Sequence, residues 1–206
     1  MRDDAFHRLG LRVLNRLPER AAGRAILVTS ARDGEGKSFV AAALAEALVA
    51  QGAGPVALVR CSPDPRAPAL PGWSDLLDSG QWQVGPASGS VSGPASGSGE
   101  AGPTVIGAGS RPRAAALFHA QAVANALDVL RSRFAIAVID APSLAACGAL
   151  LRHADGSLLV INACSTRREV VIGTLAANPI PTDRLLGTVL NRQPAYVPNW
   201  LYRRIA

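Results

Sequence analysis

The chain has 206 residues, 49% of them apolar and 17% charged, which suits a folded domain with a sizeable core and excludes a disordered polyelectrolyte. Its net charge of +6 suits an anionic partner without choosing one, and an aromatic content of 4% is too low for a base-stacking surface, so no nucleic-acid partner is predicted. The odd, irregularly spaced cysteines Cys61, Cys147 and Cys164 fit a reducing cytoplasm better than a disulfide framework or a zinc site. No signal peptide is read, because Arg2, Asp3 and Asp4 precede any apolar run. The longest apolar stretches are broken by Glu46, Gly52 and Gly54, short of a membrane span.

Residues 5–17 carry Phe6, Leu9, Val13 and Leu17 at helical spacing, with Arg8, Arg12 and Arg16 as a basic stripe. Such a helix either packs on the domain or offers a partner or membrane-surface contact. A buried strand follows at 25–30, an alanine-rich helix at 39–51 closed by Gly52, and a second strand at 55–59. A short helix is expected at 73–79. Residues 84–103 are Gly, Ser, Pro and Ala with little to bury, and the hexapeptide Gly-Pro-Ala-Ser-Gly-Ser occurs at both 85–90 and 93–98. This composition reads as a flexible surface insertion within a single domain spanning 1–206.

Order resumes with a strand at 104–106, a helix over 114–131 and a strand at 135–140 ending in Asp140. A short helix near 145–153, a strand at 157–161, a helix near 167–177 and a strand at 186–191 complete the pattern. Apolar strands without polar alternation, separated by helices, predict an α/β fold: a doubly wound, mostly parallel sheet covered on both faces. Ligands of such sheets sit at the carboxyl ends of the strands, where Lys37, Asp140 and Asn191 all fall. Residues 194–206 form a C-terminal tail.

The chain holds a single lysine, Lys37, against twenty arginines, and it lies in Ser30-Ala31-Arg32-Asp33-Gly34-Glu35-Gly36-Lys37-Ser38. An ammonium on a flexible stem reaches between phosphate oxygens where a planar guanidinium would not. Gly34 and Gly36 let backbone amides form an anion nest, Lys37 can reach β/γ phosphates, and Ser38 offers a hydroxyl to magnesium. Strand, glycine loop and helix come in the order of a Walker A loop, except that Ala31 occupies the first glycine position.

The segments LVTSARDGEGKS, FAIAVIDAPS, ADGSLLVINACSTRREVV and LLGTVLNR resemble the bacterial tyrosine autokinases of capsule and exopolysaccharide synthesis, the BY-kinases. That family lies within the P-loop ATPases that include the Min and Par types, and the resemblance runs from about residue 5 to 192. The Min/Par signature lysine would stand at Arg32, which makes the kinase branch the better match. The resemblance implies ATP and Mg2+ as cofactors. It implies nucleotide contacts from Asp33, Gly34, Glu35, Gly36, Lys37, Ser38, Phe39 and, at the adenine, Asn191. It implies catalytic roles for Lys37 and Asp140, with Ser38, Asp140 and Asp64 around the metal. Tyr196 and Tyr202, the only tyrosines, correspond to the phosphoacceptor cluster of the family.

The family also implies a membrane-bound polysaccharide chain-length or export partner, a cytoplasmic chain recruited to the inner face of the membrane, and ring-like homo-oligomers. Three departures accompany these expectations. The family's D-x-D-x-R signature after the second strand reads here Arg60-Cys61-Ser62-Pro63-Asp64-Pro65-Arg66, so Arg60 and Ser62 replace both aspartates, or Asp64 recovers only the second. The Ser-Asp pair after the Walker B segment is replaced by Cys147-Gly148, and the ring-forming E-x-x-R-x-x-R element reads Asp4, His7 and Gly10. Two functions stay open on this basis: a tyrosine kinase, or a pseudokinase-like regulatory or scaffold subunit of the same pathway.

Overall fold

The computed structural model describes residues 2–18, 22–62, 71–81, 102–110 and 119–193. Helix α1 (Arg2–Arg16) leads into strand β1 (Arg24–Ser30), helix α2 (Lys37–Ala50) and strand β2 (Val56–Arg60). Helix α3 (Trp73–Ser79), strand β3 (Thr104–Ile106), helix α4 (Ala120–Arg133) and strand β4 (Ile136–Asp140) follow. A short 3-10 helix (Leu144–Ala146), one-turn helix α5 (Leu150–His153), strand β5 (Gly156–Asn162), helix α6 (Arg168–Ala177) and strand β6 (Leu185–Asn191) end the described fold.

The strands form one six-stranded sheet in the order β3-β2-β4-β1-β5-β6, with every pairing parallel. Strands buried on both faces need apolar side chains throughout, which is why β1, β4 and β5 carry no polar alternation. Alternate residues feed two cores. Ile26, Val28, Leu58, Val138 and Val160 pack toward α1 and α2, while Ala25, Leu27, Val59, Ile139 and Leu159 pack toward α3, α4 and α5. The predicted doubly wound α/β architecture is therefore observed.

Helix α2 presents Val40, Ala41, Leu44, Ala45 and Leu48 to the sheet, and its small alanines let the backbone come close. Helix α1 covers α2 with Val13 and Leu17 buried and Arg8, Arg12 and Arg16 exposed, so it packs on the domain. The helix expected at 145–153 is broken in two: Gly148 takes a left-handed φ of 51° between the 3-10 helix and α5. Helix α4 starts at Ala120, and residues 114–118 lie outside the described residues, as do 84–101 of the Gly/Ser insertion and the tail from 194. No described helix is long and apolar enough to cross a membrane.

One buried ion pair fastens the amino-terminal edge of the sheet. Asp155, ahead of β5, accepts hydrogen bonds from the Ala25 backbone amide at 2.8 Å and from Arg131 of α4 at 3.0 Å. The Arg131 guanidinium also reaches Asp128 and the carbonyl of His153. The Asp155 and Arg131 side chains are only 2% and 11% exposed. Removing one partner strands a buried charge, which costs about 3–5 kcal/mol. We expect Asp155→Ala to lower unfolding stability by that amount in urea titration, and the double variant with Arg131→Met to recover part of it.

Candidate functional site

The predicted phosphate loop lies between the carboxyl end of β1 and α2. Ala31 is buried, and Arg192 is the only described non-glycine residue with positive φ, so the first loop position has ordinary backbone and tolerates alanine. Gly34 and Gly36 do need glycine, at φ 81° and 87°. Gly36 is further constrained because a Cβ there would stand 2.1 Å from Asn191 Nδ2. Helix α2 begins after Gly36 with no side-chain cap. Its first-turn amides thus have no internal acceptor and, with the positive end of the helix dipole, favour an anion. Lys37 lies in that turn with its side chain 12% exposed and its Nζ 3.1 Å from Asp33 Oδ1, four residues earlier.

Asp140 ends β4, the strand beside β1, and lies across from the loop. It is 6% exposed, with the Ser38 hydroxyl close enough to favour its charged form. Its Oδ1 is buried without any hydrogen-bond partner. Burial pushes the Asp140 carboxyl above the usual aspartate range, while the Ser38 hydroxyl and the charges of Lys37 and Arg60 pull it back. Arg60 pairs in register with Asp140 on neighbouring β2, which puts a guanidinium beside the carboxylate where the family resemblance would have an aspartate.

Two thiols complete this corner. The Cys61 amide donates to the Asp140 carbonyl at 3.0 Å. Cys147 Sγ lies 3.2 Å from Thr29 Oγ1 and 3.3 Å from the Pro142 carbonyl. Burial raises the Cys61 thiol well above its ordinary value, helped by Asp140 and Cys147. Burial also raises Cys147 to about 11, against the Thr29 hydrogen bond and Lys37. Both are protonated thiols at neutral pH, which argues against redox sensing at this corner.

The loop is also tied to strands β5 and β6. Glu35 is 2% exposed; its carboxylate accepts from Thr166, in the turn after β5, and from the Arg32 amide at 3.3 Å. Its backbone carbonyl accepts from Asn191 Nδ2 at 2.9 Å, and Asn191 Oδ1 accepts from the Arg192 amide at 2.9 Å. The Asn191 amide is therefore engaged with protein on both sides, as part of the loop's support. Phe39 is 48% exposed, with its ring edge-on to Phe6 of α1 at 5.7 Å between centroids. Thr29 and Thr166 lie within the segments that carry the family resemblance but are not singled out there; the fold brings them to this site. Asp64, Tyr196 and Tyr202 lie outside the described residues.

The residues present fit a nucleotide and a magnesium ion. An uncapped helix start, an adjacent lysine, the Ser38 hydroxyl and the orphaned Asp140 Oδ1 are the donors that phosphate and a hard cation need. No described group of three or more His, Cys, Asp or Glu forms a closed cage.

No family model and no curated protein sequence matches the chain. Solved structures do. The VpsO kinase domain is 26% identical at a TM-score of 0.63, covering 84% of this chain and 86% of that one. The BceF tyrosine kinase domain is 20% identical at 0.66, covering 91% and 77%. The kinase domain of the Escherichia coli tyrosine kinase ETK is 18% identical at 0.59, covering 85% and 71%. These three neighbours are kinase domains, two of them named as tyrosine kinases, in agreement with the resemblance carried by the sequence motifs.

Two outcomes test this geometry. Gly36→Ala should destabilise the chain by at least ~1 kcal/mol from the left-handed backbone alone, with Asn191→Ala relieving only the added steric part. For Asp140, the raised folded-state value means that its stabilising effect is present below the ordinary aspartate range and is lost as pH rises through that folded-state value. Asp140→Asn should therefore melt higher than wild type at pH 7 without nucleotide or magnesium, and the gain should vanish as pH falls below about 4.

Proposed function

We propose that this chain, which has the fold of the bacterial tyrosine-kinase domains, is an ATP-binding, tyrosine-kinase-like protein of exopolysaccharide or capsule synthesis or export. The observation that carries the nucleotide reading is the buried, unpartnered Asp140 Oδ1 opposite an uncapped helix start bearing Lys37 and Ser38. Loop amides at 34–38 and the Lys37 ammonium would hold the β- and γ-phosphates. Ser38 and Asp140 would hold magnesium, which supplies charge neutralisation on the transferring phosphoryl group. Tyr196 and Tyr202 are the proposed acceptors, reached in a neighbouring copy. The chain would act in the cytoplasm, at the inner face of the membrane, with a membrane-bound chain-length or export protein.

A second reading, a pseudokinase-like subunit that binds nucleotide and regulates assembly, is favoured by one specific observation. Arg60 stands in register with Asp140 and contributes positive charge at the metal corner. Phosphoryl transfer rests on positioning, on metal charge and on a base to orient the acceptor. A guanidinium beside Asp140 weakens the metal and base functions and leaves the phosphate cradle intact. A partitioning ATPase of the Min or Par type is disfavoured by Arg32 at the signature-lysine position.

Calorimetric titration with ATP decides between these readings. Lys37→Met should weaken binding about 10- to 100-fold, the loss expected for a charge-assisted phosphate contact. Magnesium-dependent binding followed by phosphate on Tyr196 or Tyr202 in mass spectrometry supports the kinase. Binding indifferent to magnesium in wild type but dependent on it in Arg60→Asp supports the pseudokinase. Absence of any ATP binding refutes both.

A further inference from the structure

A cavity of about 580 Å³ lies away from the phosphate loop, beneath the amino-terminal ends of β1, β5 and β6. The strands there are seven residues long, which separates the two ends by on the order of 20 Å. Four guanidiniums line this cavity, from Arg16, Arg131, Arg152 and Arg184, together with the carboxylates of Asp155 and Asp183. Asp155 and Arg131 neutralise each other in the buried pair described above. Three guanidiniums therefore face one exposed carboxylate, Asp183.

Two of the three remaining arginines are held at the rim. Arg16, at the end of α1, donates one terminal nitrogen to the Leu186 carbonyl at 2.8 Å. Arg184 uses one terminal nitrogen on the carbonyls of Arg152 and Ala154. Each tether uses one nitrogen of a group with several donors, and the Arg152 guanidinium makes no hydrogen bond among the described residues. Fixed guanidiniums with unused N–H groups match phosphate oxygens bidentately and have already lost part of the rotamer freedom that binding would cost. The volume lies within the range of small-molecule sites.

We propose that this cavity is a second anion site, distinct from the phosphate loop, which takes a soluble phosphate- or pyrophosphate-bearing molecule of about nucleoside-diphosphate size. Its concavity favours a discrete small molecule over a flat membrane surface. Occupancy would tie α1, α4, α5 and the start of β6 together, so that a phosphorylated ligand is sensed at the end of the sheet opposite the nucleotide.

The test is amide chemical-shift titration of the full chain with inorganic pyrophosphate, in wild type and in Lys37→Met, which blunts binding at the phosphate loop. Shifts at Asp155, Gly156, Arg184 and Leu185 that persist in Lys37→Met are expected. Arg152→Glu, at an exposed position whose side chain makes no hydrogen bond among the described residues, should raise the midpoint about tenfold or more, as should Arg16→Ala. Shifts confined to residues 33–39, shifts abolished by Lys37→Met, or an unchanged midpoint in Arg152→Glu would each overturn the proposal. So would Arg152-dependent sedimentation with phosphatidylglycerol vesicles in a chain that ignores pyrophosphate.

Discussion

The site depends on a steric fact at Gly36. The amide nitrogen of Asn191 lies where a side chain on residue 36 would begin, and the same nitrogen bonds the neighbouring carbonyl of Glu35. This close approach sets the position of the phosphate loop against β6, while the buried Glu35 carboxylate fixes it to the turn after β5 through Thr166. A loop of six residues between β1 and α2 would otherwise have wide freedom. Here it is supported from β6 and from the turn after β5, and that support is what aims the uncapped amides of α2 at one point.

Against this rigid cradle the neighbouring corner carries an electrostatic conflict. Asp140 is buried, has one oxygen without a partner, and is ionised only at a cost. Lys37 and Arg60 both oppose that cost, one from the loop and one from β2. A cation supplied from solution would offset it too. Arg60 therefore competes in charge, though not in coordination, with any metal bound here. The two thiols nearby, Cys61 and Cys147, are both raised by burial and add bulk but little polarity to this corner.

The fold was legible in the sequence because its strands announce themselves. Runs such as Ile136–Asp140 and Gly156–Asn162 are apolar on both faces, and only a covered parallel sheet accommodates that. The placement of Lys37, Ser38 and Asp140 was legible for a related reason: each sits at a strand end or helix start that the local sequence marks. The engaged state of Asn191 was not, since its partner Glu35 is 156 residues away and only the β5–β6 pairing brings them together. Thr166 was invisible for the same reason. The break at Gly148 was missed because a short apolar stretch reads equally well as one helix or two.

The solitary lysine has a consequence for covalent chemistry. In a chain with twenty arginines and one lysine, every acyl transfer to a side-chain amine falls on the same atom, the Nζ that Asp33 holds at the mouth of the loop. Neutralising that ammonium would remove the lysine charge of the cradle and its ion pair with Asp33. For this chain, lysine acylation and occupancy of the phosphate loop are competing claims on a single nitrogen.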